Sequence, residues 1–543
     1  MQRRVQNIAE VFVESAQKHA SKTALIEAKS GASIDFAALN ERSDLYARFF
    51  SENGIQVKEP VMLMVRPSID FICLTLALFK IGSPVILIDP GMGLRNVLRS
   101  IRRVQPRYLI GIPKAILFSK LFPSAFASLK KTFCYGRSFG VLGKDISRIQ
   151  KKDNSRYPLY IPEDDDIAAI VFTTGSTGPP KGVRYDHSVL YAQLQLIQGY
   201  YQINAEDIDQ PAFPLFALFS TALGACAVIP DLDPARPAKV DPVKFIESLQ
   251  KYKVTYSFGS PAIWRVVSAY CVETGVVLPA LDKVLMAGAP VSYTILQSMR
   301  QILSSEAKVY TPYGATEGLP VCSIDYREIL DETTAISRRG GGTCVGRALP
   351  GVDVRIIAPS DEVLFDIAQC RFLETGQVGE IIVKGGVVTK AYINDTEETL
   401  MAKIQDQSGF WHRMGDLGYI DDKKRLWFCG RKAHRVISEE QVFFPIPCEA
   451  IVNESKDVFR SALVGVKNYD NKTEPALILE TESSFSGDQG LLIREIAALA
   501  AKNELTKDIR SFLIHPAFPV DIRHNAKIFR EKLSVWAQKK LYP

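Results

Sequence analysis

Helical and extended apolar patterns alternate along the first 160 residues, a rhythm that points to parallel sheets covered by helices. The helical patterns fall at 8–19, 36–53 and 69–81, and short apolar strands at 60–65, 84–88 and 108–112. The alternation resumes beyond residue 180, with helices predicted at 188–200 and 242–251 and strands at 255–258 and 283–287. From Gly341 the texture changes to short strands bounded by turn residues, at 353–357, 379–384 and 419–420, as in a β-rich subdomain. The run RLWFCGR at 425–431 reads as a strand ending at a glycine, and it leads into about 110 residues with an αβ pattern of their own. A chain of 543 residues exceeds the size at which one core keeps growing, so two or more domains with a ligand-binding cleft between them are expected.

One loop adds chemistry to this rhythm. Residues 172–183 read FTTGSTGPPKGV, directly after the apolar strand-like run 167–172. Gly175 and Gly178 let the backbone turn tightly enough to bring N–H groups against phosphate oxygens. Thr173, Thr174, Ser176 and Thr177 add hydroxyl donors, and Lys181 adds a mobile positive charge. The Walker pattern GxxxxGK[ST] is excluded, because Gly178 is followed by Pro179 and Pro180 before the lysine, and Lys181 by Gly182. An ordinary Ser/Thr/Gly turn is the bland alternative, but it requires the whole run to resemble a phosphate cradle by chance.

With 47% hydrophobic and 23% charged residues and no low-complexity tract, a globular chain is expected rather than a disordered one. The longest apolar stretch, 215–229, is interrupted by Ser220, Thr221 and Gly224; it is too short for an ordinary membrane span and reads as a buried element. The N-terminal segment has no apolar signal core, so a cytoplasmic protein is expected. Nine cysteines, with no CxxC pair and no neighbouring histidine, read as reduced core residues, and the six histidines form no metal-ligand pattern. The net charge of +6 is unevenly spread: residues 95–152 hold fourteen Lys and Arg against one acid, Asp145. There Leu117, Leu121, Phe122, Phe126 and Leu129 interleave with Lys114, Lys120, Lys130 and Lys131, a combination suited to a peripheral contact with anionic lipid or an acidic protein. A solvated helix face broken at Pro123 is the simpler reading. Nucleic acid is not expected as a partner, since no stacking-aromatic or recognition-helix pattern accompanies the charge.

Six motifs, in order and spread over essentially the whole chain, resemble those of the adenylate-forming (ANL, AMP-binding) superfamily of acyl-CoA synthetases, peptide-synthetase adenylation domains and luciferases. They are the phosphate loop, MAGAPVS at 286–292, YGATE at 313–317, HRMGD at 412–416, GRKAHRV at 430–436 and NAKIFR at 525–530. The resemblance implies an α/β fold: a large N-terminal adenylation domain of helix-covered sheets with a β-rich subdomain over 1–429, a hinge at 430–435, and a small mobile α+β domain over 436–543. It implies ATP and Mg2+, with Glu317 holding the metal and the phosphate loop, Lys181 included, at the phosphates. Gly288, Ala289 and Pro290 would approach adenine, and Tyr313 would offer it a ring face with Gly314, Ala315 and Thr316 alongside. Asp416 would accept both ribose hydroxyls, and Arg431 would meet ribose or phosphate. Lys527 would reach the carboxylate and the α-phosphate, completing a catalytic set with Lys181, Glu317 and Thr316. The competing explanations are a surface acid for Glu317, turn or core packing for the adenine-side residues, and a solvated lysine for Lys527, which follows Ala526 where the family has glycine.

Departures from the family sharpen the resemblance. ISEEQVFF at 437–444 puts Glu439 and Glu440 where acyl-CoA synthetases carry small residues around the pantetheine arm, and His434 stands where the hinge residue is usually Asp or Lys. With FPLFALFS at 213–220, VIPDLDPARPA at 228–238 and PVDIRHNAKIFREKL at 519–533, the chain looks like the β-lactone synthetase branch of bacterial olefin biosynthesis. That branch implies adenylation of a long-chain 2-alkyl-3-hydroxy acid, followed by attack of its own β-hydroxyl to give a β-lactone and AMP. It also implies a lactone decarboxylase and a 3-keto-acid reductase as working partners. On this reading His524 is the base for the hydroxyl, and Phe216, Ala217 and Gly224 belong to a wall for the alkyl chains, with plain core packing as the alternative. A long-chain acyl-CoA or acyl-carrier ligase is the first rival. A catalytically silent binder of nucleotide or fatty acid is the second, disfavoured by intact Lys181, Glu317, Asp416 and Lys527.

Overall fold

The strands Lys131–Cys134, Tyr108–Gly111, Val61–Met64, Val85–Leu87 and Ile167–Phe172 are parallel neighbours in that order, and Gly182–Asp186 closes the edge antiparallel. This computed structural model describes residues 5–137, 142, 143, 145–149, 155–173, 179–213, 215–520 and 528–543. A second sheet runs Lys308–Tyr310, Lys283–Met286, Tyr256–Gly259, Ile208–Asp209, Cys226–Ile229 and Thr23–Glu27, all parallel, with Ser33–Asp35 antiparallel at its edge. The third sheet has eight strands between Tyr313 and Arg431, all antiparallel, which is the β-rich texture expected beyond Gly341.

The helix Ile69–Ile81 shows how the sequence fixes this architecture. Ser68 caps it by accepting the Phe71 N–H at 3.1 Å, and Gly82 ends it in the left-handed region at φ +77°. A Cβ on Gly82 would lie 2.3 Å from the Tyr160 ring, so only glycine fits there. Every residue of this helix is buried, including Lys80, whose ammonium is paired with Asp44 and donates to the Asn40 side-chain oxygen at 2.7 Å. Burial lowers the pKa of that lysine, and the Asp44 carboxylate opposes the shift.

Three local expectations are modified. Residues 215–229 are two elements, the helix Phe216–Ala222 and the strand Cys226–Ile229. Residues 419–420 are the end of a twelve-residue strand, Gly409–Ile420. The strand 425–431 does not stop at its glycine but continues through it as Leu426–Arg431.

Beyond Arg431 a turn, Lys432–His434, leads to strands Val458–Lys467, Thr473–Thr481 and Ser511–Ile514, packed by helices Pro445–Val452, Gln489–Ala500 and Arg530–Leu541. The two hydrophobic clusters here, around Leu477 and around Ile478, draw only on residues from Val436 onward. Charged anchors tie the turn to the antiparallel sheet. Glu380 is fully buried, and Arg413 holds it with two hydrogen bonds of 3.0 and 2.8 Å. Lys432 approaches the same carboxylate at 3.2 Å. Among the described residues no helix is long and apolar enough to cross a membrane. Eight of the nine cysteines are buried.

One buried acid makes stability depend on pH. Asp209, fully buried in the second sheet, accepts from Ser220 Oγ, which lies 2.8 Å from the Tyr256 hydroxyl, and burial raises its pKa to about 8. An unfolded aspartate gives up its proton near pH 4, so between about 4 and 8 the native chain keeps a proton that the unfolded chain has lost. Stability contributed by this group is complete at acid pH and is lost as pH rises through that window. Asp209→Asn is expected to remove a slope of up to about 1.4 kcal/mol per pH unit. Urea midpoints of variant and parent from pH 5 to 8 check this; parallel curves would reject it.

Candidate active site

A cavity of about 2070 Å³ lies where the three large sheets meet the C-terminal segment, with Val171, Met286, Asp416 and Ile528 among its lining residues. The phosphate loop reaches it from a hairpin. Instead of entering a helix, the chain returns from the loop as the strand Gly182–Asp186 and only then forms the helix His187–Tyr201. Thr173 N–H donates to the Lys181 carbonyl at 3.0 Å, closing the base of the loop. Lys181 pairs with Glu398 and stands 5.2 Å from the centre of the Tyr392 ring. Thr174, Gly175, Ser176, Thr177 and Gly178 lie outside the described residues.

Glu317 lies in the two-residue turn of the tight hairpin between Tyr313–Ala315 and Gly318–Ser323. Gly314 is required by that hairpin, because a Cβ there would lie 2.6 Å from the Gly318 carbonyl oxygen. Tyr392 donates its hydroxyl to Glu317 Oε1 at 2.7 Å, and Thr389 donates its N–H to the Glu317 carbonyl at 2.8 Å. Beneath them the buried Lys403 donates to the Thr389 carbonyl, and burial pulls its pKa down to about 7 against the opposing charge of Glu317. Thr316 accepts the Tyr185 hydroxyl on its carbonyl.

Asp416 sits in the long strand Gly409–Ile420, nearly out of contact with water. The Tyr313 hydroxyl donates to its Oδ2 at 2.6 Å. Arg431, paired with it across the sheet, brings Nη1 to 2.9 Å from Oδ1, but without hydrogen-bond alignment, so Oδ1 is a buried acceptor with no donor in place. Burial raises the Asp416 pKa, while Arg431 and Tyr313 favour the carboxylate; the same carboxylate raises the pKa of Arg431.

Thr173, Lys181, Gly288, Ala289, Pro290, Tyr313, Gly314, Ala315, Thr316, Glu317, Asp416 and Arg431 all line this one cavity. Phe216 lines it as well, its ring 4.1 Å from that of Phe258. Ala217 and Gly224, by contrast, do not reach it. Ala217 is fully buried in the helix, and a Cβ on Gly224 would meet His19 and Ala205. From that stretch Leu215, Phe216, Leu218, Phe219, Leu223 and Ile229 form the wall, so large side chains rather than small ones shape it. Arg523, His524 and Lys527 lie outside the described residues, whereas Ile528 and Arg530 line the cavity. Arg530 is fixed by Glu449, both of whose oxygens accept from its Nη2. His434 is 3.6 Å from Glu531, and burial together with Arg530 lowers its pKa to about 4. Glu439 pairs with Lys472 in an exposed position and does not line the cavity.

Sequence reasoning missed Tyr392, Glu398 and Lys403. They stand 75 or more residues beyond Glu317, in segments without a motif, and only pairing such as Val183 with Tyr392 carries them to the loop.

The sequence over residues 12–393 matches the AMP-binding enzyme family. An olefin β-lactone synthetase of Stenotrophomonas maltophilia (strain K279a) is 41% identical over 514 residues, covering 94% of this chain and 92% of its own. Another, of Xanthomonas campestris pv. campestris, is 40% identical, covering 93% of this chain and 91% of its own. Among solved structures, the amide bond synthetase McbA of Marinactinospora thermotolerans superposes with a TM-score of 0.80 over 97% of this chain and 99% of its own; at 21% identity this likeness concerns the fold. The protein is thus a member of the AMP-binding enzyme family, in the group of the olefin β-lactone synthetases.

Proposed function

We propose that the protein uses ATP to convert a long-chain 2-alkyl-3-hydroxy acid into a β-lactone, with AMP and pyrophosphate as the other products. The observation that carries this is a single cavity combining a charged end, with Lys181, Glu317, Asp416 and Arg431, and a large apolar part lined by Phe79, Leu190, Ile197 and Leu218, in a chain 41% identical to an olefin β-lactone synthetase. The buried acceptor Asp416 Oδ1 fits a ribose hydroxyl, which would supply the missing donor. Glu317 fits Mg2+ as a lone carboxylate, since that ion commonly takes one or two carboxylates and completes its shell with phosphate oxygens and water. Among the described residues no group of three or more His, Cys, Asp or Glu makes an all-protein metal cage. When bound, the ion would supply positive charge at the phosphates.

In the first step a carboxylate oxygen of the acid bonds to the α-phosphorus, and the bond from that phosphorus to pyrophosphate breaks. Lys181 and Lys527 are assigned to the charge that develops there. In the second, the β-hydroxyl oxygen bonds to the acyl carbon, its proton passes to a base, and the acyl–oxygen bond to AMP breaks. His524 is proposed as that base. The hydroxyl is tethered to the reacting carbon, so its effective concentration is high and no second substrate has to enter. Residues 436–543 are proposed to move as a small domain about a hinge at 430–435, a reading supported by their self-contained hydrophobic clusters. A lactone decarboxylase and a 3-keto-acid reductase are the proposed working partners, in the cytoplasm.

Synthetic 2-alkyl-3-hydroxy acids with ATP and Mg2+ test the reading. Mass spectrometry is expected to show β-lactone and AMP without added CoA, and His524→Ala is expected to suppress lactone more than pyrophosphate. A CoA thioester as the sole acyl product would replace this reading by the ligase one, and ADP as the nucleotide product would end both.

A further inference from the structure

We propose that the outer faces of the helices Leu94–Val104 and Pro113–Leu121 form a docking surface for anionic lipid, with Pro113–Leu121 standing between that lipid and the apolar cavity. Both helices follow crossovers that move the same way along the first sheet, from Val85–Leu87 to Tyr108–Gly111 and on to Lys131–Cys134. Crossovers of one hand and one direction place their helices on the same face, and the two helices share one hydrophobic cluster through Val97, Ile101 and Ile116.

Their outward faces combine two features. Arg95, Arg99 and Arg102 follow one another at helical spacing and are exposed, as is Lys120. Among the described residues no ion pair engages Arg95, Arg99 or Lys120, whereas Arg103 is paired with Asp395 and Lys130 with Glu59. Beside these cations three leucines face solvent: Leu94 at 53% exposure, Leu117 at 49% and Leu121 at 65%. An acidic protein would account for the charge. The leucines favour a surface that is anionic and oily together, and fourteen bases against one acid over 95–152 supply the complementary sign.

The inner face of Pro113–Leu121 points to the same partner. Lys114, Ala115 and Phe118 of this helix line the cavity, while Leu117 and Leu121 on its other side meet solvent. The helix is therefore a wall one element thick. A sparingly soluble long-chain acid is concentrated in lipid, and docking by this wall would place the cavity beside that store; this part of the inference rests on the proposed reaction, while the docking surface itself does not.

Flotation of the full chain with vesicles of phosphatidylglycerol and phosphatidylcholine, against vesicles of phosphatidylcholine alone, is the test. Binding is expected to the anionic vesicles and to fall with salt. Leu117→Glu with Leu121→Glu is expected to weaken it about 30-fold or more, and Arg99→Glu with Lys120→Glu about tenfold, each with an unchanged unfolding temperature and unchanged pyrophosphate release from a short, soluble 3-hydroxy acid. No partition onto anionic vesicles, or leucine variants that bind like the parent, would overturn the proposal. Binding to polyglutamate that survives loss of the leucines would overturn it in favour of an acidic protein. Vesicle binding as expected, alongside failure of every hydroxy acid to release pyrophosphate, would leave the docking surface standing and remove the proposed reaction instead.

Discussion

Glu317→Gln is expected to lower acid-dependent pyrophosphate release by about 1000-fold with little change in folding. Glutamine keeps the volume of the side chain and an oxygen that can still accept the Tyr392 hydroxyl, which lies 2.7 Å from Oε1. What it loses is the negative charge available to a divalent cation. The Tyr392 ring also carries Lys181 on its face, so one aromatic residue positions the candidate metal carboxylate and the loop cation together. Titrating Mg2+ in the assay separates the two roles open to Glu317. A metal ligand predicts a raised half-saturation for Mg2+ and partial recovery at high concentration. A purely structural acid predicts a lower unfolding temperature and an unchanged Mg2+ requirement, and that outcome would remove the assignment.

Asp416→Asn is expected to raise the KM for ATP by about 100-fold. The side chain is buried, its Oδ2 is taken by Tyr313, and its Oδ1 awaits a donor. An amide presents one acceptor oxygen where the carboxylate presents two, and it leaves Arg431 beside an uncharged group. The decisive comparison uses 2′-deoxy-ATP. The parent enzyme is expected to discriminate against it by about 100-fold, because a buried acceptor left unmatched costs free energy, whereas the variant is expected to treat the two nucleotides nearly alike. Equal discrimination by parent and variant would place the ribose elsewhere.

The parts of the fold that announce themselves in sequence are those with local grammar. The helices Ile69–Ile81, between Ser68 and Gly82, and Pro242–Lys251, behind the capping residue Asp241, have the bounds that the apolar pattern predicts. The strand Gly409–Ile420 was legible only at its tail, because it buries Arg413 and Asp416 in ion pairs and breaks the apolar alternation on which strand reading depends. The same holds at the site. Residues of the 172–183 loop and of the motifs at 286–292, 313–317 and 412–416 line one cavity, Thr173, Lys181, Gly288, Tyr313 and Asp416 among them, since each motif is a run of neighbouring residues. Tyr392 and Glu398 reach that cavity through tertiary pairing, with Lys403 buried behind them at the Thr389 carbonyl, and they carry no such signature. Ala217 and Gly224 stay outside the cavity, because in this helix and turn small size serves close packing.

The Glu380 carboxylate, shared by Arg413 in the strand of Asp416 and by Lys432 in the turn that follows Arg431, bears on how such a sequence can drift. One anion serves both the strand that carries Asp416 and the start of the C-terminal segment. A lineage that altered it would have to re-settle the strand of Asp416 and the turn after Arg431 in a single mutational step, which makes this position a ratchet: simple to inherit, and hard to revise by gradual change.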